Sequence, residues 1–273
     1  MFKENQTYID FRLDVLEDFQ EVFSHFYFAE NLSKETVKKT LLPSYQTLLI
    51  FNFGAKAVLY SDRSTIIEIN KCIVLGPVKN AFDYALPSGS KLLVAVLKND
   101  AFYRFFGTNP VSKEFSFNPD DLLSENCFNA LWSKLDKIEG AADQLQFILT
   151  YSKPYLKQRD PVFEKMVLFR QRGLSPIKSI AISQNQTERM MQIYHKKYTG
   201  YSAKEFNRYQ RFLSAIRLIQ HNSCQSKKID WFEVIQECGY YDQSQLIHDF
   251  QHYIKLSPTK YLKFQKEICN SFR

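Results

Sequence analysis

The sequence predicts an α+β protein, in which a small antiparallel β-barrel with a helical hairpin is followed by an all-α domain built around one long helix. Three observations carry that reading. Residues 40–100 hold short runs rich in β-branched, aromatic and leucine residues between turn signals. After Asp120 the apolar residues change to three- and four-residue spacing. Beyond Gly200, helix caps and helix-ending glycines alternate.

Size and composition set the frame. The 273 residues, 45% hydrophobic and 24% charged, suit a globular chain of one to three domains. No apolar run approaches the ~18 residues of a membrane span, and the start MFKENQTYIDF lacks the basic-then-apolar pattern of a signal peptide. The expectation is a cytoplasmic protein with no membrane partner. Cys72, Cys127, Cys224, Cys238 and Cys269 are far apart and odd in number, which argues for buried thiols rather than disulfides or a zinc knuckle. Charge is unevenly spread: from residue 161 onward there are 18 Lys/Arg against 9 Asp/Glu, whereas residues 1–160 have 18 against 20. A basic C-terminal part on a near-neutral N-terminal one suits a polyanion-binding module joined to something else.

The strand runs are Gln46–Phe53, Ala57–Tyr60, Thr65–Ile69, Cys72–Leu75, Ala81–Leu86 and Lys91–Leu97, punctuated by Asn52-Phe53-Gly54, Ser61-Asp62-Arg63-Ser64, Gly76-Pro77 and Pro87-Ser88-Gly89. Six short strands without intervening helices predict a barrel or sandwich. Between Asp120 and Gln158, Leu123, Cys127, Leu131, Leu135 and Ile138, then Leu145, Ile148 and Leu149, mark two helices broken near Gly140. Their stripes can pack on the barrel or against a second subunit. Lys153-Pro154 and Asp160-Pro161 disfavour continuous helix and place a boundary. The domains expected are therefore 1–115, the barrel; 116–160, the hairpin and linker; and 161–273, the helical domain.

Within that last domain, Gly200 ends one helix, and Ser202 with Glu205 can form the capping box of the next. Phe206, Tyr209, Leu213 and Ile216 recur along this connecting helix, with Arg208, Arg211 and Arg217 among them. Asp230 caps a further helix that stops at Cys238-Gly239, and Asp242 caps the following one. Helix, glycine turn, helix is the helix-turn-helix pattern. Ser257-Pro258 opens a short final helix through Tyr261.

The run from Glu237 through Phe250, ECGYYDQSQLIHDF, followed by Leu256-Ser257-Pro258-Thr259-Lys260-Tyr261, resembles the signature of AraC/XylS transcription regulators. The resemblance extends over roughly Gly173 to Phe264, since Ile177–Ala181 and Thr187–Arg189 through Lys196–Gly200 are similar to the first helix-turn-helix of that family. It implies two helix-turn-helix motifs joined by the long helix, each second helix entering a major groove about one turn of duplex, ~34 Å, from the other. By helix geometry and the family pattern, the base readers are Arg189, Gln192 and Ile193 in the first motif and Gln243, Ser244 and His248 in the second. Lys196, Lys197 and Lys260 are the expected phosphate contacts. The chain departs from the pattern at Gln184, Gln186 and His195, where apolar or aromatic core residues are usual, and at Ile235, usually alanine. Either the first motif is looser, or Met190, Met191 and Tyr194 repack the gap. Asn185 occupies a turn position that needs a left-handed residue.

More faintly, residues 1–115 resemble the cupin-like sensor barrel that precedes such domains. No cofactor or metal is expected: His25 is the only histidine before residue 195, and the His248/His252 pair has no further ligand set. The expected function is sequence-specific regulation of transcription, with double-stranded promoter DNA as the partner, RNA polymerase as a second partner of an activator, and the first half binding a small-molecule effector, a second copy of the chain, or both. Two alternatives stay open. One is a ligand-independent dimeric regulator; the other is a nucleic-acid repair enzyme on the same scaffold, against which stands the lack of a cysteine beside a histidine or any nucleophile motif.

Overall fold

The computed structural model of the chain describes residues 8–60, 66–108, 116–123, 126–169, 175–225 and 227–263. Its strands are β1 (Tyr8–Leu13), β2 (Phe23–Asn31), β3 (Val37–Leu41), β4 (Thr47–Asn52), β5 (Ala57–Tyr60), β6 (Ile66–Ile69), β7 (Cys72–Leu75), β8 (Phe82–Leu86), β9 (Lys91–Leu97) and β10 (Ser116–Phe117). The helices are α1 (Ala101–Phe106), α2 (Pro119–Leu123), α3 (Cys127–Leu135), α4 (Ala141–Ser152), α5 (Pro161–Leu168), α6 (Pro176–Ser183), α7 (Glu188–Thr199), α8 (Ala203–Cys224), α9 (Trp231–Cys238) and α10 (Gln243–Ile254). The α+β organisation is the one the sequence predicts. The turn at Ser61–Ser64, the Leu123 side chain, Gly173, Phe264 and Cys269 lie outside the described residues. Among the described residues no helix is long and apolar enough to cross a membrane. By its contacts the chain divides into two compact units, Met1–Val78 with Phe82–Ser202, and Lys79–Ala81 with Ala203–Arg273.

In the first unit two antiparallel sheets form, ordered β1-β2-β9-β4-β7-β10 and β3-β8-β5-β6. The six expected runs are β4 to β9, to within a residue or two at each end. Strands β1 to β3 were not anticipated, although the aromatic run Phe23-Ser24-His25-Phe26-Tyr27-Phe28 has the β-propensity that could have found β2. The central strands are buried on both faces, and strand alternation explains how. In β4, Leu48 and Ile50 join Leu92, Val94 and Val96 of β9 in a core with Leu59, Phe82 and Leu86 of the other sheet. The intervening Leu49, Phe51, Leu93, Ala95 and Leu97 point the opposite way and meet Leu131 and Leu135 of α3 and Leu145, Ile148 and Leu149 of α4.

The hairpin therefore packs on the barrel of its own chain. Gly140, with φ 90°, takes a backbone conformation that L residues rarely adopt and breaks the two helices apart. Across that break the buried Gln144 side chain donates to the Leu135 carbonyl at 3.0 Å. Trp132 anchors α3 to the sheet by donating its indole N–H to the Asn52 carbonyl at 2.7 Å. The reading of the cysteines as buried thiols needs correction: among the described residues Cys224 near the end of α8 is exposed, and Cys72, Cys127 and Cys238 are partly buried.

Candidate nucleic-acid interface

The first helix pair, α6 and α7, is set by local capping. Ser175 accepts from the Lys178 amide at 3.4 Å, with Pro176 supplying the fixed φ of the first turn, and Thr187 accepts from the Met190 amide at 3.2 Å. Between the helices Asn185 sits at φ 51°, the left-handed conformation expected of it. Asn185→Ala should cost about 1–2 kcal/mol, because a Cβ without a local hydrogen-bonding group is strained there, whereas Asn185→Gly should be close to neutral. Thermal unfolding of the two variants checks this; equal melting temperatures would refute it.

The polar departures resolve by position. Gln186 is exposed and Gln184 only half-buried, so neither occupies the core. That core is made by Ile177, Ile180, Ala181, Met191 and Tyr198, with Phe163 and Met166 contributed by α5. Met191 is buried, Tyr194 half-buried and Met190 about half exposed. The Tyr194 hydroxyl donates to Asp160 at 2.6 Å, the same carboxylate that caps α5 through the Val162 and Phe163 amides. His195 takes part of an aromatic's place beside Phe163, with ring centroids 6.1 Å apart, and its Nδ1–H donates to the Tyr201 carbonyl at 3.1 Å. Burial holds its pKa below the usual imidazole value. Sequence reading missed Phe163 and Asp160 as parts of this module.

On the other side of α7, Arg189, Gln192, Ile193 and Lys196 are exposed at spacings of three, one and three residues, which puts them on one helix face. Lys197 is exposed too, but it turns toward α1, with its ammonium 5.5 Å from the Tyr103 and Tyr198 ring centroids. The Tyr103 hydroxyl beside it raises its pKa.

The second pair, α9 and α10, repeats the plan with stronger features. Asp230 accepts from the Phe232 amide at 2.8 Å, and Gly239 at φ 74° stops α9. Asp242 accepts from the Gln245 amide at 2.8 Å while the Gln245 side-chain oxygen accepts from the Tyr241 amide at 2.9 Å, so the first turn and the residue before its cap are tied together reciprocally. Leu246, Phe250 and Tyr253 of α10 and Val234 of α9 are fully buried, and the Phe250 and Tyr253 rings pack on Phe212 of α8. Ile235 is half-buried. Residues 258–263 are helical, with Ser257 accepting from the Lys260 amide at 3.3 Å and Tyr261 packed on Phe250. Gln243, Ser244, His248 and Lys260 are all exposed.

One feature of this pair was not read from the sequence. Asp249 falls on the buried face of α10, and its carboxylate, 1% exposed, accepts from Arg208 and, at 3.0 Å, from Arg211, both of α8. The signal was available. Leu246, Asp249, Phe250 and Tyr253 share the three- and four-residue spacing of the core stripe, and an acidic residue on such a stripe requires partners.

The geometry defines a protein with two capped helix pairs, each second helix buried along one side and exposing polar residues near its start on the other. No protein-family model and no curated protein sequence matches the chain. Among solved structures it is similar to ToxT from Vibrio cholerae, at 13% identity and a TM-score of 0.40 over 95% of this chain and 98% of that one. It is also similar to the AraC-like transcriptional activator CuxR, at 10% identity and a TM-score of 0.25 over 96% and 86% of the two chains. The cupin domain of an XRE family transcriptional regulator from Enterobacter cloacae aligns with 34% of this chain and 96% of that one, at 6% identity and a TM-score of 0.26.

Proposed function

We propose that the chain is a sequence-specific DNA-binding transcription regulator of the AraC/XylS kind, reading two successive major grooves with α7 and α10. The observation that carries this reading is the two-sided character of both helices. Their apolar sides are buried, while Arg189, Gln192 and Ile193 on α7 and Gln243, Ser244 and His248 on α10 are all exposed. Arginine and glutamine in such places make paired hydrogen bonds to guanine and adenine edges. Lys196 and Lys260 supply phosphate contacts, and Lys197 joins them once it leaves the Tyr103 ring. The DNA-binding domain runs from residue 161, and the barrel with its hairpin, residues 1–160, is the regulatory part. It binds an effector or a second copy of the chain. Promoter DNA is the partner, with RNA polymerase added where the protein activates.

The test is titration of the full chain onto a promoter duplex over a series of salt concentrations. Affinity should fall steeply with salt, and Lys196→Ala should weaken binding to all sequences alike while lowering the salt slope by about one. Gln243→Ala should instead cost ~1–3 kcal/mol on the preferred site and relax choice at one base pair. Absence of binding at low salt would end this reading, and an equal loss on every duplex would remove Gln243 from the readers.

A further inference from the structure

We propose that Arg208 makes His248 a fixed hydrogen-bond donor, so that His248 reads the acceptor edge of guanine in the major groove. The inference rests on the DNA-binding reading above and deepens it at one residue. Arg208 Nη2 lies 2.9 Å from His248 Nδ1. A guanidinium carries only donors, so the imidazole nitrogen facing it must accept, and the proton of the neutral ring then sits on Nε2. Arg208 is held in this role from other directions. Its Nε donates to the buried Asp249 carboxylate, and its guanidinium carbon lies 5.7 Å from the centroid of the Tyr253 ring. Arg211 takes the second Asp249 oxygen at 3.0 Å, which fixes the carboxylate that orients Arg208. A planar fork bound on several sides cannot rotate away from one partner without losing the others.

His248 is exposed on α10, the helix that also carries Gln243 and Ser244. With Nδ1 engaged by Arg208, Nε2–H is the group left for a base. A lone N–H donor suits purine N7, guanine O6 or thymine O4 and opposes the amino group of cytosine; guanine offers two acceptors side by side. Released from Arg208, the ring could exchange tautomers and accept as readily as donate, and the discrimination would blur. His248 is thus the reader and Arg208 its positioning residue.

The experiment selects binding sites for the full chain from a randomised duplex pool and records the imidazole nitrogen NMR shifts of the same protein. Wild type should enrich a motif with guanine at a position that His248→Ala flattens, with binding to the selected site weakened about 5- to 10-fold. Arg208→Lys keeps a cation near Asp249 but lacks the fork that serves both partners. It should flatten the same position, leave the other positions selective, and abolish the fixed Nε2–H signature. Replacing that guanine by 7-deazaguanine should weaken wild type by a similar factor and leave His248→Ala unaffected. The proposal is overturned if Arg208→Lys folds and retains the preference, or if His248 carries its proton on Nδ1. It is likewise overturned if His248→Ala, an exposed substitution that does not depend on refolding of the buried network, leaves every position unchanged. A wild-type chain that enriches no duplex would overturn the DNA-binding reading itself; a chain that enriches one with an unaltered His248→Ala profile overturns only the assignment made here.

Discussion

Asp249→Ala is expected to destabilise the second unit by about 3 kcal/mol, at the lower end of what removing one partner of a buried ion pair costs. The carboxylate is 1% exposed and is the shared acceptor of Arg208 and Arg211, whose side chains are 31% and 22% exposed. Removing it leaves two guanidinium groups of α8 beside α10 with no carboxylate between them. Their partial exposure lets water recover part of the loss, which is why the lower end applies. Arg211 retains a contact through the Tyr240 ring, 4.6 Å from its guanidinium carbon, and Arg208 through Tyr253, so the arginines need not leave the surface entirely. Hydrogen exchange at the amides of α8 and α10 is the suitable measurement, because it reports this unit separately from the barrel. A change of protection corresponding to less than about 1 kcal/mol would place the pair among ordinary surface bridges. Asp249→Asn, which keeps the shape and one acceptor, should lose less than alanine does.

The second large effect is expected in the other unit. Leu135→Ala should cost about 3–4 kcal/mol, within the range for truncating a buried leucine in a core that collapses only partly around the cavity. Leu135 is fully buried, and its surroundings are the Leu49, Phe51 and Leu93 face of the sheet and the Leu145 and Leu149 stripe of α4. Because these partners belong to the same chain, the loss should be the same at low and high protein concentration in urea unfolding. A loss that grows on dilution would mean that the stripe is completed by a second subunit instead. The exposed neighbour Lys134 on the same helix should tolerate alanine with little change, since it is not part of that stripe.

Much of this was legible before the fold was known. The helix starts at Asp230, Asp242 and Ser257 were readable because an N-cap acts over three residues, and the left-handed turn at Asn185 because few other residues tolerate it. Strands β4 to β9 were readable from runs of apolar residues between turns. Strands β1 and β3 were not, since neither holds a buried residue or an unbroken apolar run, although Tyr8, Ile9 and Phe11 of β1 have strand propensity.

The sequence by itself determined strands β4 to β9, the two helix pairs and the exposed polar positions at the start of α7 and α10, because capping, periodicity and turn chemistry operate within a few residues. Only the tertiary structure decided which partners complete them. It placed the hairpin stripe on the barrel, set Phe163 beside His195, joined Tyr194 to Asp160, and turned Lys197 toward Tyr103. It also brought Arg208, forty residues away, onto His248. Contacts between residues distant in sequence depend on how the helices pack, and no local rule for spacing or capping contains that information.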